Sequence, residues 1–251
     1  MCGLGGVFHL DPDRPVDVSA LRAMGAVLAH RGPDGEGIHQ GPGYGLAHTR
    51  LAIVDRAMGI QPMTTDDGRF TVIYNGEIYN HLDLRAELEA SGHRFRTACD
   101  TEVLLHGYRA WGTDLPQKLR GMFAFAIVDE EEHSLFAARD RLGKKPFHYC
   151  LHDGSLHFAS ELKALFVDSR LPRHLNPEAS DSSSACATYP TRRRSFATST
   201  SCPRPTACRS RTANSSANRT GSSASPSRII VRLRKSPRRS SNSWTSRYAC
   251  A

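Results

Sequence analysis

Apolar and polar positions along residues 1–178 follow patterns that predict a mixture of strands and helices. The continuous apolar run GMFAFAIVD at residues 121–129 is typical of a strand buried on both faces. Residues 134–140 are predicted to pair with it as a hairpin across an acidic turn. Apolar residues at helical spacing predict an amphipathic helix over residues 18–29. Further strands are predicted at residues 3–10, 43–47, 51–54, 70–74, 146–151 and 156–159, and further helices at residues 81–91, 101–111 and 160–166.

The order of these elements indicates the fold class. The strands are joined by hairpins and the helices stand in separate blocks, which is typical of antiparallel sheets covered by helices. We therefore expect an α+β fold for residues 1–178. Asn75-Gly76 is the strongest short turn signal in the chain, and we expect it to end the strand at residues 70–74.

The composition changes abruptly after residue 178, and the charge changes with it. Residues 179–251 contain 14 Lys and Arg residues and one acid, so residues 1–178 hold 19 basic and 24 acidic residues, a net charge of −5. The overall net charge of +8 therefore belongs to the tail and does not favour nucleic acid as a partner of the folded part. Low hydrophobicity and high net charge predict that the tail, residues 179–251, is disordered.

Cys2 is a chemically distinctive residue because it directly follows the initiator methionine. Removal of Met1 would give one residue a thiol and a free α-amino group. Such an amino group has an ordinary pKa of about 7.7–8.0, so a useful fraction is unprotonated at neutral pH and can take the thiol proton. The alternative is a chance cysteine at a frayed terminus.

The other cysteines and the N-terminal sequence indicate the environment of the protein. The seven cysteines include no CxxC pair, so neither a disulfide framework nor a metal site is indicated. The sequence shows no signal peptide and no apolar run long enough to span a bilayer. We expect a cytoplasmic, reducing location with no membrane partner, which would keep Cys2 as a thiol.

Several short motifs place polar groups at the ends of predicted elements. HTRLAIVD puts Arg50 at a strand edge, YNGEIYN puts Asn75, Gly76 and Glu77 on one turn, and TACDTE puts Asp100 at a helix N-terminus. Each motif alone has an ordinary structural explanation: a surface cation, a hairpin turn or a helix cap.

The motifs taken together are more specific. MCGLGGVF, HRGPDG, HTRLAIVD, QPM, YNGEIYN, GMFAFAIVD, RDRLGKKPF and FASELKAL follow one another in an order that resembles the glutaminase domain of class II amidotransferases, most closely that of glutamine-dependent asparagine synthetase. The resemblance covers residues 1–178 and implies the N-terminal-nucleophile hydrolase fold, a four-layer αββα sandwich of two antiparallel sheets. Glucosamine-phosphate synthase and amidophosphoribosyltransferase are the alternatives within this class.

The resemblance also implies roles for individual residues. Cys2 would attack the side-chain amide of L-glutamine and form a thioester, and Asn75 and Gly76 would form the oxyanion hole. Arg50 would bind the α-carboxylate of the substrate, and Asp100 would accept its α-ammonium group. The catalytic set is Cys2, Asn75 and Gly76, and the glutamine-binding set is Arg50, Leu51, Ala52, Ile53, Val54, Asn75, Gly76, Glu77 and Asp100.

Other residues of these motifs are interpreted as structural. Cys99 and Cys150 are expected to be packed core residues. Arg139 and Lys145 are expected to support the fold or a domain contact. The three histidines His30, His48 and His106 show no metal-ligand spacing.

The sequence departs from a complete asparagine synthetase after residue 178. In that family a synthetase domain follows, binds ATP and Mg through an SGGxDS loop, and uses the ammonia to make asparagine; no such loop occurs here. The glutaminase domain itself is expected to need no cofactor, with a separate synthetase domain as the ammonia acceptor. A non-catalytic truncated remnant is the alternative.

Three interpretations of the tail stay open. It is a real disordered segment, a basic segment that binds nucleic acid electrostatically, or an out-of-frame translation of a GC-rich gene. We favour the third, because the family pattern stops abruptly and the tail mixes Arg, Ser, Pro, Ala, Thr and Cys.

Overall fold

Two antiparallel sheets lie face to face between layers of helices. The computed structural model describes residues 1–53, 55, 57–175, 196–197 and 230–234. The strands are β1 Gly3–His9, β2 Gly35–Gly41, β3 Tyr44–Arg50, β4 Met63–Thr64, β5 Phe70–Ile78, β6 Gly121–Asp129, β7 Ser134–Arg139, β8 His148–His152, β9 Ser155–Ala159, β10 His174–Leu175, β11 Phe196–Ala197 and β12 Ile230–Arg234. The helices are α1 Val18–Leu28, α2 His81–Ala90, α3 Asp100–Trp111, α4 Leu115–Lys118 and α5 Leu162–Leu165.

The sheet order confirms the predicted four-layer sandwich. The first sheet has the strand order β2-β3-β1-β9-β8, and the second has the order β12-β7-β6-β5-β4. Helices α1 and α5 pack on the outer face of the first sheet, and α3, with α2 against it, packs on the second. Among the described residues, no helix has the length and apolar character needed to cross a bilayer.

Strand β6 shows why the sandwich holds together. Phe123, Phe125 and Ile127 pack with the helices of the outer layer. Ala124 and Ala126 alternate with them and face the other sheet. Small side chains on the inner face let the two sheets approach closely, and large ones fill the space under the helices. The prediction of a strand buried on both faces is confirmed.

The expected turn at Asn75-Gly76 is wrong. Strand β5 runs through both residues to Ile78, with Asn75 opposite Ala124 and Gly76 opposite Phe123 on β6. The local turn propensity is overridden because β6 offers a continuous antiparallel partner along the whole strand. The amide and glycine therefore lie inside a sheet and not on a hairpin tip.

The region before the central strands also differs from the prediction. Residues 43–47 and 51–54 were expected to form two strands, but a single strand, β3, continues to Arg50 and residues 51–53 leave the sheet. The sequence signal for β2 was missed because its GEGIHQG composition is polar, glycine-rich and partly exposed, as suits an edge strand.

Most of the tail lies outside the described residues, so its predicted disorder and the boundary at residue 178 stay predictions. Two short segments differ from the expectation: β11 pairs with β10, and β12 pairs with the edge of β7. An edge strand presents unpaired backbone groups, which gives a β-forming segment a partner.

Candidate active site

The inner faces of the two sheets bring two predicted site residues, Cys2 and Asn75, to one end of the sandwich together with His48. Leu4, Leu46 and Ile73 belong to the apolar cluster between the sheets. Side chains of a strand alternate with a period of two, so His48 shares the inner face with Leu46, and Asn75 shares it with Ile73. Cys2 precedes β1 by one residue and stands in the same register as Leu4.

Cys2 is the half-buried thiol at this end. The backbone N–H of Leu51 donates to its Sγ at 3.3 Å, and the thiol lies 3.6 Å from the Leu51 carbonyl oxygen. The Arg31 guanidinium donates to the Cys2 carbonyl oxygen at 3.0 Å and is held by Glu161 at 2.8 Å. Burial alone would raise the pKa of Glu161, but hydrogen bonds from Arg31 and from neighbouring side chains outweigh it and lower that pKa to about 2. Cys2 is therefore held through both its thiol and its carbonyl oxygen.

The other cysteines of the globular part are less suited to nucleophilic attack. Cys99 and Cys150 are both 2% exposed. Burial raises the pKa of each of these two thiols. The prediction that they are packed core residues is confirmed.

Asn75 and the backbone of Gly76 offer hydrogen-bond donors beside the cysteine. The Asn75 side chain is 1% exposed, and its Nδ2 is buried without a hydrogen-bond partner. An unsatisfied buried donor is costly, which marks it as a candidate for binding a ligand atom. His48 donates from Nε2 to the Tyr74 carbonyl oxygen at 3.1 Å and so braces the peptide that precedes Asn75.

The edge of β5 directs the Gly76 N–H towards the cavity. Alternate residues of a strand point their N–H groups to the same edge. On this edge the N–H of Tyr74 donates to Gln61 Oε1 at 2.6 Å, and that of Ile78 donates to Asp100 Oδ2 at 3.0 Å. Gly76 lies between these two occupied positions, so its N–H faces the gap between Gln61 and Asp100.

Glycine at position 76 is also required by packing. A Cβ there would lie 2.8 Å from Phe123 Cα and 2.6 Å from the Tyr74 ring, and it would collide with the Met122 carbonyl oxygen. Two of these atoms belong to the backbone of β6 and cannot move cheaply. Position 76 therefore requires glycine because strand β6 leaves no room for a Cβ.

The charged residues predicted to bind the substrate surround the same cavity. Arg50 ends β3 and donates to the Asp55 carbonyl oxygen at 2.7 Å. Asp100 begins α3, and its carboxylate accepts from the Tyr74 hydroxyl at 2.8 Å. Burial, and after it the proximity of the Asp100 carboxylate, raises the pKa of Tyr74 well above its usual range. Glu77 is exposed at the rim.

The cavity has a volume of about 70 Å³. Of the predicted backbone segment, Leu51 and Ile53 line it. The N–H of Ala52 donates to Asp34 at 2.8 Å instead, and Val54 lies outside the described residues. The lining residues are Met1, Cys2, Arg50, Leu51, Ile53, Gly59, Gln61, Tyr74, Asn75, Gly76, Glu77, Cys99, Asp100, Thr101, Met122 and Lys145.

Four residues of the site were not predicted to act in catalysis or glutamine binding. Arg31 holds the Cys2 backbone, Gln61 and Tyr74 order the β5 edge, and Lys145 lines the cavity. The HRGPDG and QPM motifs flagged the first two positions without giving their contacts. The expectation that Arg139 supports the fold agrees with its hydrogen bond to the Lys145 carbonyl oxygen at 2.5 Å, whereas Lys145 is itself part of the site.

A larger cavity of about 300 Å³ lies elsewhere, between α1 and residues 167–170. Its two arginines are paired: Arg170 with Asp168 of the lining at 2.8 Å, and Arg14 with Asp153, outside the lining, at 2.9 Å. It contains no cysteine, so size alone does not identify the chemical centre.

Comparisons with known proteins identify relatives of this chain. Asparagine synthetase (glutamine-hydrolysing) 1 of Bacillus subtilis is 44% identical over 169 residues, which are 66% of this chain and 27% of that protein. Asparagine synthetase (glutamine-hydrolysing) 2 of Oryza sativa subsp. japonica is 43% identical over 169 residues, 67% of this chain and 28% of that protein. The chain thus spans less than a third of the length of these relatives.

A solved structure shares the fold. Glutamine phosphoribosylpyrophosphate amidotransferase from B. subtilis superimposes with a TM-score of 0.53 at 22% identity, covering 70% of this chain and 46% of that chain. A family model described as a glutamine amidotransferase domain matches residues 1–218. The chain is similar to the N-terminal region of glutamine-hydrolysing asparagine synthetases, and it belongs to the glutamine amidotransferase domain family.

Proposed function

We propose that this domain hydrolyses the side-chain amide of free L-glutamine to glutamate and ammonia. One observation carries the proposal: the Cys2 thiol, the unpartnered Asn75 amide nitrogen and the backbone of Gly76 border one cavity. A nucleophile with two adjacent donors is the arrangement that acyl transfer requires.

The proposed reaction begins after hydrolysis of the Met1–Cys2 peptide bond, which frees the Cys2 amino group. That amine takes the thiol proton, and the sulfur attacks the δ-carbon of glutamine. Asn75 Nδ2 and the Gly76 N–H donate to the oxyanion of the tetrahedral intermediate. The C–N bond then breaks, ammonia leaves with the proton from the amine, and a thioester remains on Cys2. Attack by water on the thioester releases glutamate and restores the thiol.

Charge at the cavity supports selection of a free amino acid. The Arg50 guanidinium would bind the α-carboxylate, and Asp100 with Glu77 would accept the α-ammonium group. A glutamine inside a peptide carries neither charge. The hydrogen bonds to Asp100 from Tyr74 and the Ile78 N–H hold that carboxylate in place before substrate arrives.

The partner and cofactor requirements are also part of this proposal. The proposed half-reaction uses no metal or cofactor, because the nucleophile, base and oxyanion donors are all supplied by the chain. The ammonia would be consumed by a synthetase domain, as the names and lengths of the relatives suggest. In this proposal ATP and Mg are needed by that domain only.

The test is glutamine-dependent ammonia release by the purified chain. We expect release from L-glutamine and not from N-acetylglutamine, loss of activity in Cys2→Ala, and full activity in Cys150→Ala, whose thiol lies outside the cavity. EDTA should have no effect. A wild-type chain that is folded, has lost Met1 and releases no ammonia would contradict the proposal and favour a non-catalytic remnant.

A further inference from the structure

Lys145 is a charged side chain with almost no access to water. It is 5% exposed and lines the cavity that contains Cys2. Its ammonium group lies 3.2 Å from the thioether sulfur of Met1. A thioether is a weak acceptor, and Lys145 takes part in none of the ion pairs of the described residues. Buried lysines are rare without a strong partner, so this one calls for an explanation.

The loop that carries Lys145 is fixed independently of the cavity. The Asp140 carboxylate is 3% exposed and accepts from the backbone N–H groups of Leu142, Lys144 and Lys145 at 2.9 to 3.1 Å. Arg139 donates to the carbonyl oxygens of Gly143 and Lys145. The loop therefore fixes the backbone from which the Lys145 side chain extends to the cavity.

The other charged groups around Cys2 are engaged. Arg31 is paired with Glu161 and with the Cys2 carbonyl oxygen. Arg50, at the end of β3, donates to the Asp55 carbonyl oxygen.

The two carboxylates that line the cavity, Asp100 and Glu77, are not paired with Lys145. Asp100, at the start of α3, accepts from the hydroxyl of Tyr74 and from a backbone N–H of β5. Glu77 is exposed on β5. Cys99, the remaining titratable group of the lining, is a buried thiol.

We propose that Lys145 is a positioning residue for catalysis: once Met1 has been removed, its ammonium keeps the neighbouring Cys2 amino group in the unprotonated form that accepts the thiol proton. The proposal deepens the proposed glutaminase function and rests on it. Hydrolysis of the Met1–Cys2 bond consumes one water, releases methionine and removes the thioether that Lys145 contacts. The Lys145 ammonium and the freed Cys2 amine then line the same cavity.

The physical reason is like-charge repulsion. A fixed positive charge disfavours protonation of a nearby amine, and the effect grows where water is excluded. The loop contacts fix the backbone of Lys145 at the cavity, so in this proposal its positive charge acts on the terminal amine. The amine then acts as a base at a lower pH than it would in an exposed chain terminus, which is what a general base near neutral pH needs.

The test compares Lys145→Met with wild type, with Lys145→Arg as the charge-retaining variant and Lys144→Met as a matched control on the exposed neighbour. Removal of Met1 is first verified in each protein by intact mass. We expect Lys145→Met to shift the acidic limb of kcat/KM up by about one pH unit or more, and Lys145→Arg and Lys144→Met to follow wild type. A second readout, the pH dependence of Cys2 alkylation by iodoacetamide without glutamine, should shift in the same direction.

Unchanged pH profiles in a folded, processed Lys145→Met would overturn the inference, as would a uniform loss of activity at every pH. If Lys145→Met does not fold, Lys145→Gln answers the same question. The alkylation profile also separates the two proposals: a wild type without glutaminase activity contradicts the proposed function, whereas the effect of Lys145 on alkylation is still measured.

Discussion

Replacing Asn75 with alanine removes the side-chain donor that we assign to the oxyanion hole. In the folded protein this amide nitrogen is buried and has no hydrogen-bond partner. Its removal therefore breaks no hydrogen bond of that nitrogen in the ground state. In the transition state of the proposed reaction the same nitrogen would donate to a developing negative charge.

The expected effect of Asn75→Ala on the free energy of unfolding differs from its effect on the activation barrier. An unsatisfied buried donor costs the folded state about 1–3 kcal/mol, and truncation relieves that cost while leaving a small void. These terms oppose each other, so we expect the free energy of unfolding to change by about 1 kcal/mol or less. Loss of one oxyanion donor costs about 3–4 kcal/mol of barrier, which lowers kcat about 10² to 10³-fold.

The assay is steady-state glutamate formation, paired with a denaturant melt of each variant. Thr71→Val is the matched control, because Thr71 is another buried polar residue on the inner face of β5, away from the cavity. It should retain the wild-type kcat. An Asn75→Ala variant with kcat within threefold of wild type would refute the assignment, and so would a loss of activity matched by an equal loss of stability.

Three further outcomes are expected. Gly76→Ala should destabilise the fold by about 3 kcal/mol and abolish activity because β6 leaves no space for a Cβ, whereas Gly35→Ala, with open space around it, should unfold near the wild-type midpoint; equal midpoints would contradict this. Tyr74→Phe should raise KM for glutamine about tenfold with a smaller change in kcat, since Asp100 loses one hydrogen bond; an unchanged KM would count against it. Burial lowers the pKa of His48 to about 4, so the unfolded chain binds more protons between about pH 6.5 and 4, and stability is full above that window and falls within it, by about 2 kcal/mol at pH 5; urea melts of wild type and His48→Gln at pH 7 and 5 measure the difference, and an identical pH dependence would contradict the assignment.

The sequence pattern predicted the layers of the fold because each layer has a strong periodic signal. The nine residues of β6 form one apolar run, and α1 has regular apolar spacing, so both were predicted within a few residues of their bounds. The edge strand β2 lacks an apolar face and was missed. Short-range turn propensity at Asn75-Gly76 gave the wrong local structure, because these residues pair with Ala124 and Phe123 of β6, which lie far away in the chain.

The candidate site was predicted in its residue types more than in its geometry. Cys2, Asn75 and Asp100 meet at one cavity, as the resemblance implied. The contacts that order them were not visible from sequence: Gln61 and Asp100 occupy alternate N–H positions along one strand edge, and Lys145 reaches the cavity from a loop far along the chain. Such relations depend on sheet pairing between distant segments, which no local pattern encodes.

The central claim is that Cys2 is the nucleophile that attacks glutamine. The most direct measurement uses a glutamine analogue with a chloromethyl ketone in place of the side-chain amide, followed by peptide mass mapping. The account predicts one label per chain, on an N-terminal Cys2, with Cys99 and Cys150 unmodified and with protection by L-glutamine. A chain that hydrolyses glutamine but takes the label on another residue, or takes none, would contradict it.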